Sequence, residues 1–297
     1  MSVLITRVQR LIGCAALCCA CACLSGCGVE DLDVAYVYVP EVIVDDPTGT
    51  PAAQRVVAVR VVLDATSLGF YPLPARIPIL GTGATRRLRL EPVVNRSGLS
   101  EEFVAYPLFG AVTLEQAFAP ETVDTITPLI SYLDLPDARA TFEFVEPFTG
   151  LTSGFPIDLD GDAETALELV VDASTGERVG RVTLTETNPL FEAASVTLPA
   201  IPDARELWLE LEYRGSATLT LTLLPEAPGS FEERAGRYNQ GALPRDDFRK
   251  FYFDLRNEVN DRVFVNPYRI GLLASYNVDA AEAEQEVYID NVRLVYR

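Results

Sequence analysis

Histidine is absent from all 297 residues, and the six cysteines (Cys14, Cys18, Cys19, Cys21, Cys23 and Cys27) all fall in the first 27 positions. Without histidine the chain lacks the commonest general base, the commonest metal ligand and the middle member of Ser-His-Asp and Cys-His sites. Without cysteine beyond position 27 there is no disulfide framework, no thiol chemistry and no cysteine-held zinc or iron. Stability must therefore come from an apolar core. Lys250 is the only lysine and Trp208 the only tryptophan. What chemistry is left to the chain is that of carboxylates, of oxygen-held calcium or magnesium, and of binding without reaction.

The amino terminus carries Arg7 and Arg10, an uncharged apolar run from Leu11 to Leu24, and then Leu24-Ser25-Gly26-Cys27. A positive start, an apolar stretch too short to span a bilayer and small residues ahead of a cut site make a signal peptide. The last four residues resemble the lipobox of bacterial lipoproteins. That resemblance implies removal of residues 1–26 and a diacylglyceryl group on Cys27. Two or more acyl chains, at about 0.8 kcal/mol per buried methylene, would hold the protein durably on a membrane. No later run of about 18 uncharged apolar residues provides a second anchor. Residues 27–33 then form an acidic tether, with Glu30, Asp31 and Asp33 close to the lipid. Position 28 is glycine and not the aspartate that resembles an inner-membrane retention signal, so the outer membrane is expected. The acidic cluster resembles the surface-export signal of Bacteroidetes lipoproteins, and reads equally as a solvated spacer.

Removing residues 1–26 leaves 22 cations against 43 carboxylates, a net charge of −21. Nucleic acid and anionic headgroups need a basic footprint and are poor partners for this chain, so no nucleic-acid partner is expected.

Beyond the tether, β-branched and aromatic residues alternate between glycine, proline, asparagine and aspartate breakers. Strands are expected over Val34–Val44, Arg55–Leu63, Arg86–Val94, Ala140–Val145, Ala166–Val171, Val179–Thr185, Leu207–Tyr213, Ala217–Leu223, Lys250–Leu255, Arg269–Ala274 and Glu286–Tyr296. The only helical signal is a turn near Leu114 to Ala119. The expected fold is all-β, with an N-terminal immunoglobulin-like β-sandwich over 34–136 and a C-terminal β-jelly roll over 137–297, divided at Leu135-Pro136-Asp137.

The closing segment Val287-Tyr288-Ile289-Asp290-Asn291-Val292-Arg293-Leu294 resembles the last strand of galactose-binding-like jelly rolls, the fold of many carbohydrate-binding modules. Val287 and Ile289, and past a bulge at Asp290-Asn291 also Val292 and Leu294, face a core in that arrangement. The resemblance implies a structural calcium between Asp290 and an acid of the first strand, matched here by Glu146. Pro147 and Thr149 stand where a type of Bacteroidetes lipoprotein that the chain also resembles tends to have acids, a departure that weakens this expectation. The mature chain also resembles a type of Bacteroidetes lipoprotein, through Leu73-Pro74-Ala75-Arg76-Ile77-Pro78-Ile79-Leu80, Tyr106-Pro107-Leu108-Phe109 and Ile126-Thr127-Pro128-Leu129-Ile130-Ser131-Tyr132. That resemblance brings no activity with it.

Two further clusters are candidate sites. Asp158, Asp160 and Asp162, with Glu164, place oxygen ligands at alternate positions as a calcium loop does, although an EF-hand's glycine and terminal glutamate are missing. On Leu207–Tyr213, Trp208, Glu210 and Glu212 share the face opposite Leu207, Leu209, Leu211 and Tyr213. Exposed, that face suits sugar stacking; otherwise the tryptophan is covered by the long segment from Pro225 to Asp247. Tyr238, Phe248, Tyr252 and Tyr268 are further aromatic candidates. No cofactor is required, and calcium is the one candidate ion. The expected function is a non-catalytic binding module for glycan on a lipid-anchored, surface-exposed protein. A structural or accessory subunit of an outer-membrane protein assembly is the alternative, and a carboxylate-pair glycoside hydrolase stands third.

Overall fold

A computed structural model describes residues 33–48, 56–96, 102–201, 206–226, 240–257 and 267–297. The expected signal peptide, Cys27 and the expected tether as far as residue 32 lie outside the described residues, as does Tyr238.

The first block holds ten strands: β1 (Val34–Val39), β2 (Ile43–Asp45), β3 (Ala58–Leu63), β4 (Thr66–Pro72), β5 (Ala75–Leu80), β6 (Thr85–Asn95), β7 (Phe103–Ala105), β8 (Val112–Ala117), β9 (Val123–Thr125) and β10 (Leu129–Ser131). One layer is ordered β5-β1-β9, with β2 paired to β10 beyond it; the other is ordered β4-β3-β6-β7, with β8 also on β6. Between them Ala35, Val37, Val39, Ile77 and Ile79 meet Val59, Val61, Leu63, Leu88 and Leu90 in one buried cluster. Pro40, which has no N–H to donate, falls where the expected Val34–Val44 strand divides into β1 and β2. The expected helical turn near Leu114 is corrected to strand β8. There Val112, Leu114 and Gln116 alternate with exposed neighbours along the edge of β6, and Leu114 packs on the core.

A tight hairpin of β11 (Asp134–Leu135) and β12 (Ala138–Arg139) turns at Pro136-Asp137. The second block then runs β13 (Thr141–Glu146), β14 (Ile157–Asp158), β15 (Glu168–Val171), β16 (Arg178–Thr185), β17 (Leu190–Ala194), β18 (Leu207–Gly215), β19 (Thr218–Pro225), β20 (Gln240–Ala242), β21 (Arg245–Asp254), β22 (Tyr268–Ser275) and β23 (Glu284–Tyr296). These make two antiparallel sheets, β15-β16-β23-β18-β21 with β13 alongside β23, and β14-β17-β22-β19-β20. The sheets close face to face on a large core that includes Leu207, Leu209, Leu211, Tyr213, Leu219, Leu221, Phe251, Phe253, Val287, Ile289, Val292 and Leu294. At about 1.5–3 kcal/mol for each large side chain removed from water, this core supplies what disulfides do in smaller secreted domains. The all-β fold class, sandwich then jelly roll, is therefore as the sequence led us to expect.

The bulge in the closing strand is present as well. Glu210 pairs with Arg293 and Glu212 with Asp290, so β23 spends one residue more than β18, and Asn291 takes φ 49°. This extra residue returns Val292 and Leu294 to the core side.

Candidate functional site

The outer face of the β18 sheet does not form an open platform. Trp208 and Glu210 are fully buried and Glu212 nearly so. Trp208 lies in a cluster that joins the blocks, with Val94, Tyr106, Leu108, Phe109, Ile130 and Tyr132 from the first meeting Trp208, Tyr252 and Val295 from the second. Tyr106 packs edge-on against Trp208 at 5.0 Å and against Tyr252 at 4.9 Å. The expectation of Trp208, Glu210 and Glu212 as a sugar-stacking face is thus corrected. The cover comes from the first domain, whose aromatic residues reach across the sheet.

Polar groups beneath that cover are paired across the junction. Glu210 accepts from the Tyr106 hydroxyl at 2.5 Å and from the Tyr132 hydroxyl at 2.8 Å, and its Oε2 lies 2.7 Å from Lys250 Nζ. Burial drives the Lys250 ammonium below its ordinary pKa, while the Glu210 charge holds it up. Burial and the Glu210 charge together push both tyrosine hydroxyls well above theirs. Arg293 Nη1 meets Asp46 Oδ2 at 2.5 Å, and Arg96 reaches Asp254 at 3.0 Å.

Where the first domain ends, the same sheet face carries Arg214 between two rings, 4.8 Å from the centroid of Phe248 and 4.2 Å from that of Tyr288. Arg214 also pairs with Asp172 at 2.5 Å. Against the cost of burial, hydrogen bonds from Ser174 and Thr175 together with the Arg214 charge hold Asp172 down at about 2. Of the other aromatic candidates, Tyr252 is in the junction and Tyr268 in the core.

The acids expected to hold calcium serve other ends. Glu146 Oε1 accepts the Phe148 N–H at 2.6 Å, and its Oε2 accepts that of Gly154. Asp290 Oδ1 accepts the Asn291 N–H at 2.7 Å. In the loop between β14 and β15, Asp158 accepts from Gly161 N–H, Asp162 from Glu164 N–H, and Asp160 from Asp162 N–H, Thr165 Oγ1 and Glu192 N–H. Among the described residues no three acids come close enough together to hold a metal ion. Calcium takes six to eight oxygens, and Asp158, Asp160, Asp162, Glu146 and Asp290 each turn at least one carboxylate oxygen to a backbone N–H.

The carboxyl of Asp290 is also perturbed by its surroundings. Burial raises its carboxyl to about 7, with Glu212, Glu177 and Glu146 adding repulsion and the Asn291 N–H opposing. The folded state keeps a proton that the unfolded chain releases near pH 4, so stability is expected to fall as pH rises from about 4 to about 7. With solvent screening allowed for, the loss from this group is about 2 kcal/mol. Urea titrations at pH 5 and pH 8 measure it. Asp290→Asn should remove most of the difference, and an unchanged difference in that variant would refute the assignment.

The acidic loop also lines a cleft of about 550 Å³ where the edges of the two jelly-roll sheets meet. Phe155, Phe191, Leu167 and Leu169 line it together with Asp158, Asp160, Asp162 and Arg178. Asp160 has both carboxylate oxygens occupied by loop and strand donors, so it is a positioning group. Asp158 and Asp162 each give one oxygen, Oδ1, to a loop N–H. Sequence reasoning singled out these three acids but missed their apolar companions, which come from separate strands and loops.

No family model matches the chain, and no curated protein matches it. Among solved structures, it is similar to a family 11 carbohydrate-binding module of a cellulosomal cellulase of Clostridium thermocellum, with 9% identity, 53% of this chain and 95% of that one covered, and a TM-score of 0.36. A family 61 carbohydrate-binding module in complex with beta-1,4-galactotriose matches at 13% identity, 46% and 85% coverage, and a TM-score of 0.29. A third similar structure, described as showing promiscuous specificity of carbohydrate-binding modules from the beta-sandwich superfamily, has 11% identity, 89% and 99% coverage, and a TM-score of 0.32. Likenesses this distant transfer no ligand to this chain.

Proposed function

We propose that the protein is a surface-exposed lipoprotein, held on the outer membrane by lipid on Cys27, whose jelly roll binds glycan without catalysis. The observation that carries the binding reading is the 550 Å³ cleft, which joins an apolar floor of Phe155, Phe191 and Leu167 to the carboxylates of Asp158 and Asp162. That volume is in the range of small-ligand sites, which are mostly apolar with a few placed polar groups. Carboxylate oxygens accept hydrogen bonds and repel anions, so the fitting ligand is rich in hydroxyl donors and is neutral or cationic. A neutral oligosaccharide meets that description.

The test is a glycan array probed with the chain from Cys27 onward, followed by titration calorimetry on any hit. Asp158→Asn combined with Leu151→Ala, both exposed at the cleft mouth, should weaken binding about tenfold or more, the loss expected for one charge-assisted hydrogen bond and some contact. Silence of the array across neutral and cationic glycans, or a hit indifferent to both substitutions, would refute the cleft. Anchoring is tested separately, by mass spectrometry of Cys27 from envelope fractions and by release of Cys27→Ala into the soluble fraction.

A further inference from the structure

The β5-β1-β9 sheet turns its second face away from the core. On β1, Val34, Tyr36 and Tyr38 alternate with buried Ala35, Val37 and Val39, so they point outward. Register places Leu80, Pro78 and Arg76 of β5 beside them, and Val123 and Thr125 of β9 on the other flank. Leu80 is 49% exposed and Val123 50%. Farther along the same ribbon, Ile43 and Leu129 are paired and exposed too.

In a chain this acidic the centre of that face is unusual, because its one charge is positive. The Arg76 guanidinium lies 4.0 Å from the centroid of the Tyr36 ring and forms no ion pair among the described residues. Among the described residues, acids border the face at its ends, Asp33 and Glu121 near the start of β1 and Glu41 and Asp45 at the far end. Where the chain begins matters as well. Seven residue steps join Cys27 to Val34, so at 3.3–3.6 Å per step this end of the face stays within about 25 Å of the anchoring thiol.

We infer that this face is a membrane-contact surface, with Tyr36, Tyr38, Leu80 and Val123 resting in the headgroup region of the bilayer that holds Cys27. Tyrosine is suited to that depth, with an apolar ring and a polar tip, and Arg76 can lay its stem along the rings and offer its head to lipid phosphate. The bordering acids and the acidic tether favour zwitterionic over anionic lipid. The inference rests on the lipid anchor proposed above, and its test supplies that anchor chemically.

Cys27 is the only cysteine of the chain from Cys27 onward, so one myristoyl chain can be coupled there specifically. A single chain binds membranes only marginally, which leaves the protein's own contribution measurable. On phosphatidylcholine vesicles, Tyr36→Ser/Tyr38→Ser/Leu80→Ser should lower the partition coefficient about tenfold. Leu80→Ser/Val123→Ser, which alters only half-exposed side chains, should lower it about threefold. Val278→Ser, at a position 76% exposed on the jelly roll, should leave it unchanged. Both face variants within about twofold of wild type, or an equal loss in the Val278 variant, would overturn the inference. A free thiol on Cys27 from cells would count against the anchor alone.

Discussion

Replacing Glu210 with alanine is expected to destabilise the fold by about 3–5 kcal/mol, the usual result of stripping one partner from a buried ion pair. Lys250 would be left in a site with no access to water, since both side chains of the pair are fully buried. Tyr106 and Tyr132 would lose their acceptor as well. Against a total stability of about 5–15 kcal/mol for an ordinary domain, the loss is a large fraction. The comparison variant is Glu210→Met/Lys250→Met, which removes both charges together. It should recover part of the loss, because the Lys250 charge is no longer stranded, and stay below wild type, because the Tyr106 hydroxyl has lost its acceptor at about 1–3 kcal/mol. Adding Tyr106→Phe and Tyr132→Phe should bring it back towards wild type. Urea unfolding followed by the fluorescence of Trp208, the only tryptophan, reads each step from within the junction itself. A Glu210→Ala variant within about 1 kcal/mol of wild type would mean that the pair is solvated in solution, contrary to the geometry.

Trp208→Ala should cost about 3–5 kcal/mol as well, for a different reason. Its indole fills the junction against Tyr106, with Tyr252 and Val295 in the same cluster, and alanine leaves a cavity that neither rigid sheet can close. The two cores on either side keep their own packing. The damage should therefore be local, with the first domain loosening from the jelly roll before either unfolds. Limited proteolysis checks this, with the hairpin at 134–139 cut faster in the variant than in wild type. Equal cutting rates, with a single cooperative loss of circular dichroism shifted only slightly, would show that the junction is not what holds the blocks together. Arg293 with Asp46, and Arg96 with Asp254, cross the same boundary. Their loss should be felt less where the partner is reachable by water, because exposed ion pairs contribute about 0–1 kcal/mol.

Much of the architecture is legible in residue order. Alternation on Leu207–Tyr213 assigns the leucines to the core and Trp208, Glu210 and Glu212 to the opposite face, as observed. The closing strand's bulge follows from two apolar pairs set out of phase around Asp290-Asn291. The turn residues Pro136-Asp137 do form a turn, between β11 and β12. Short edge strands were harder to read. β8 carries glutamate and glutamine between its apolar residues, so that its strand period is faint, and pairing with β6 decides its conformation.

The candidate sites divide along the same line. Three aspartates at alternate positions stand out in the sequence, but whether their oxygens meet an ion or backbone N–H groups depends on how the loop closes. The apolar floor of the cleft is drawn from segments as far apart as Phe155 and Phe191, and no local pattern links them.

Sequence by itself determined the absence of imidazole, the absence of cysteine beyond position 27, the acidic charge and the all-strand fold, since each follows from composition or from the period of two along a strand. Tertiary structure alone decided that the first domain lies across the outer sheet face and buries Trp208, Glu210 and Lys250. An outward-facing side chain has the same local sequence whether water or another domain meets it, and only the approach of distant residues such as Tyr106 and Tyr132 makes the difference.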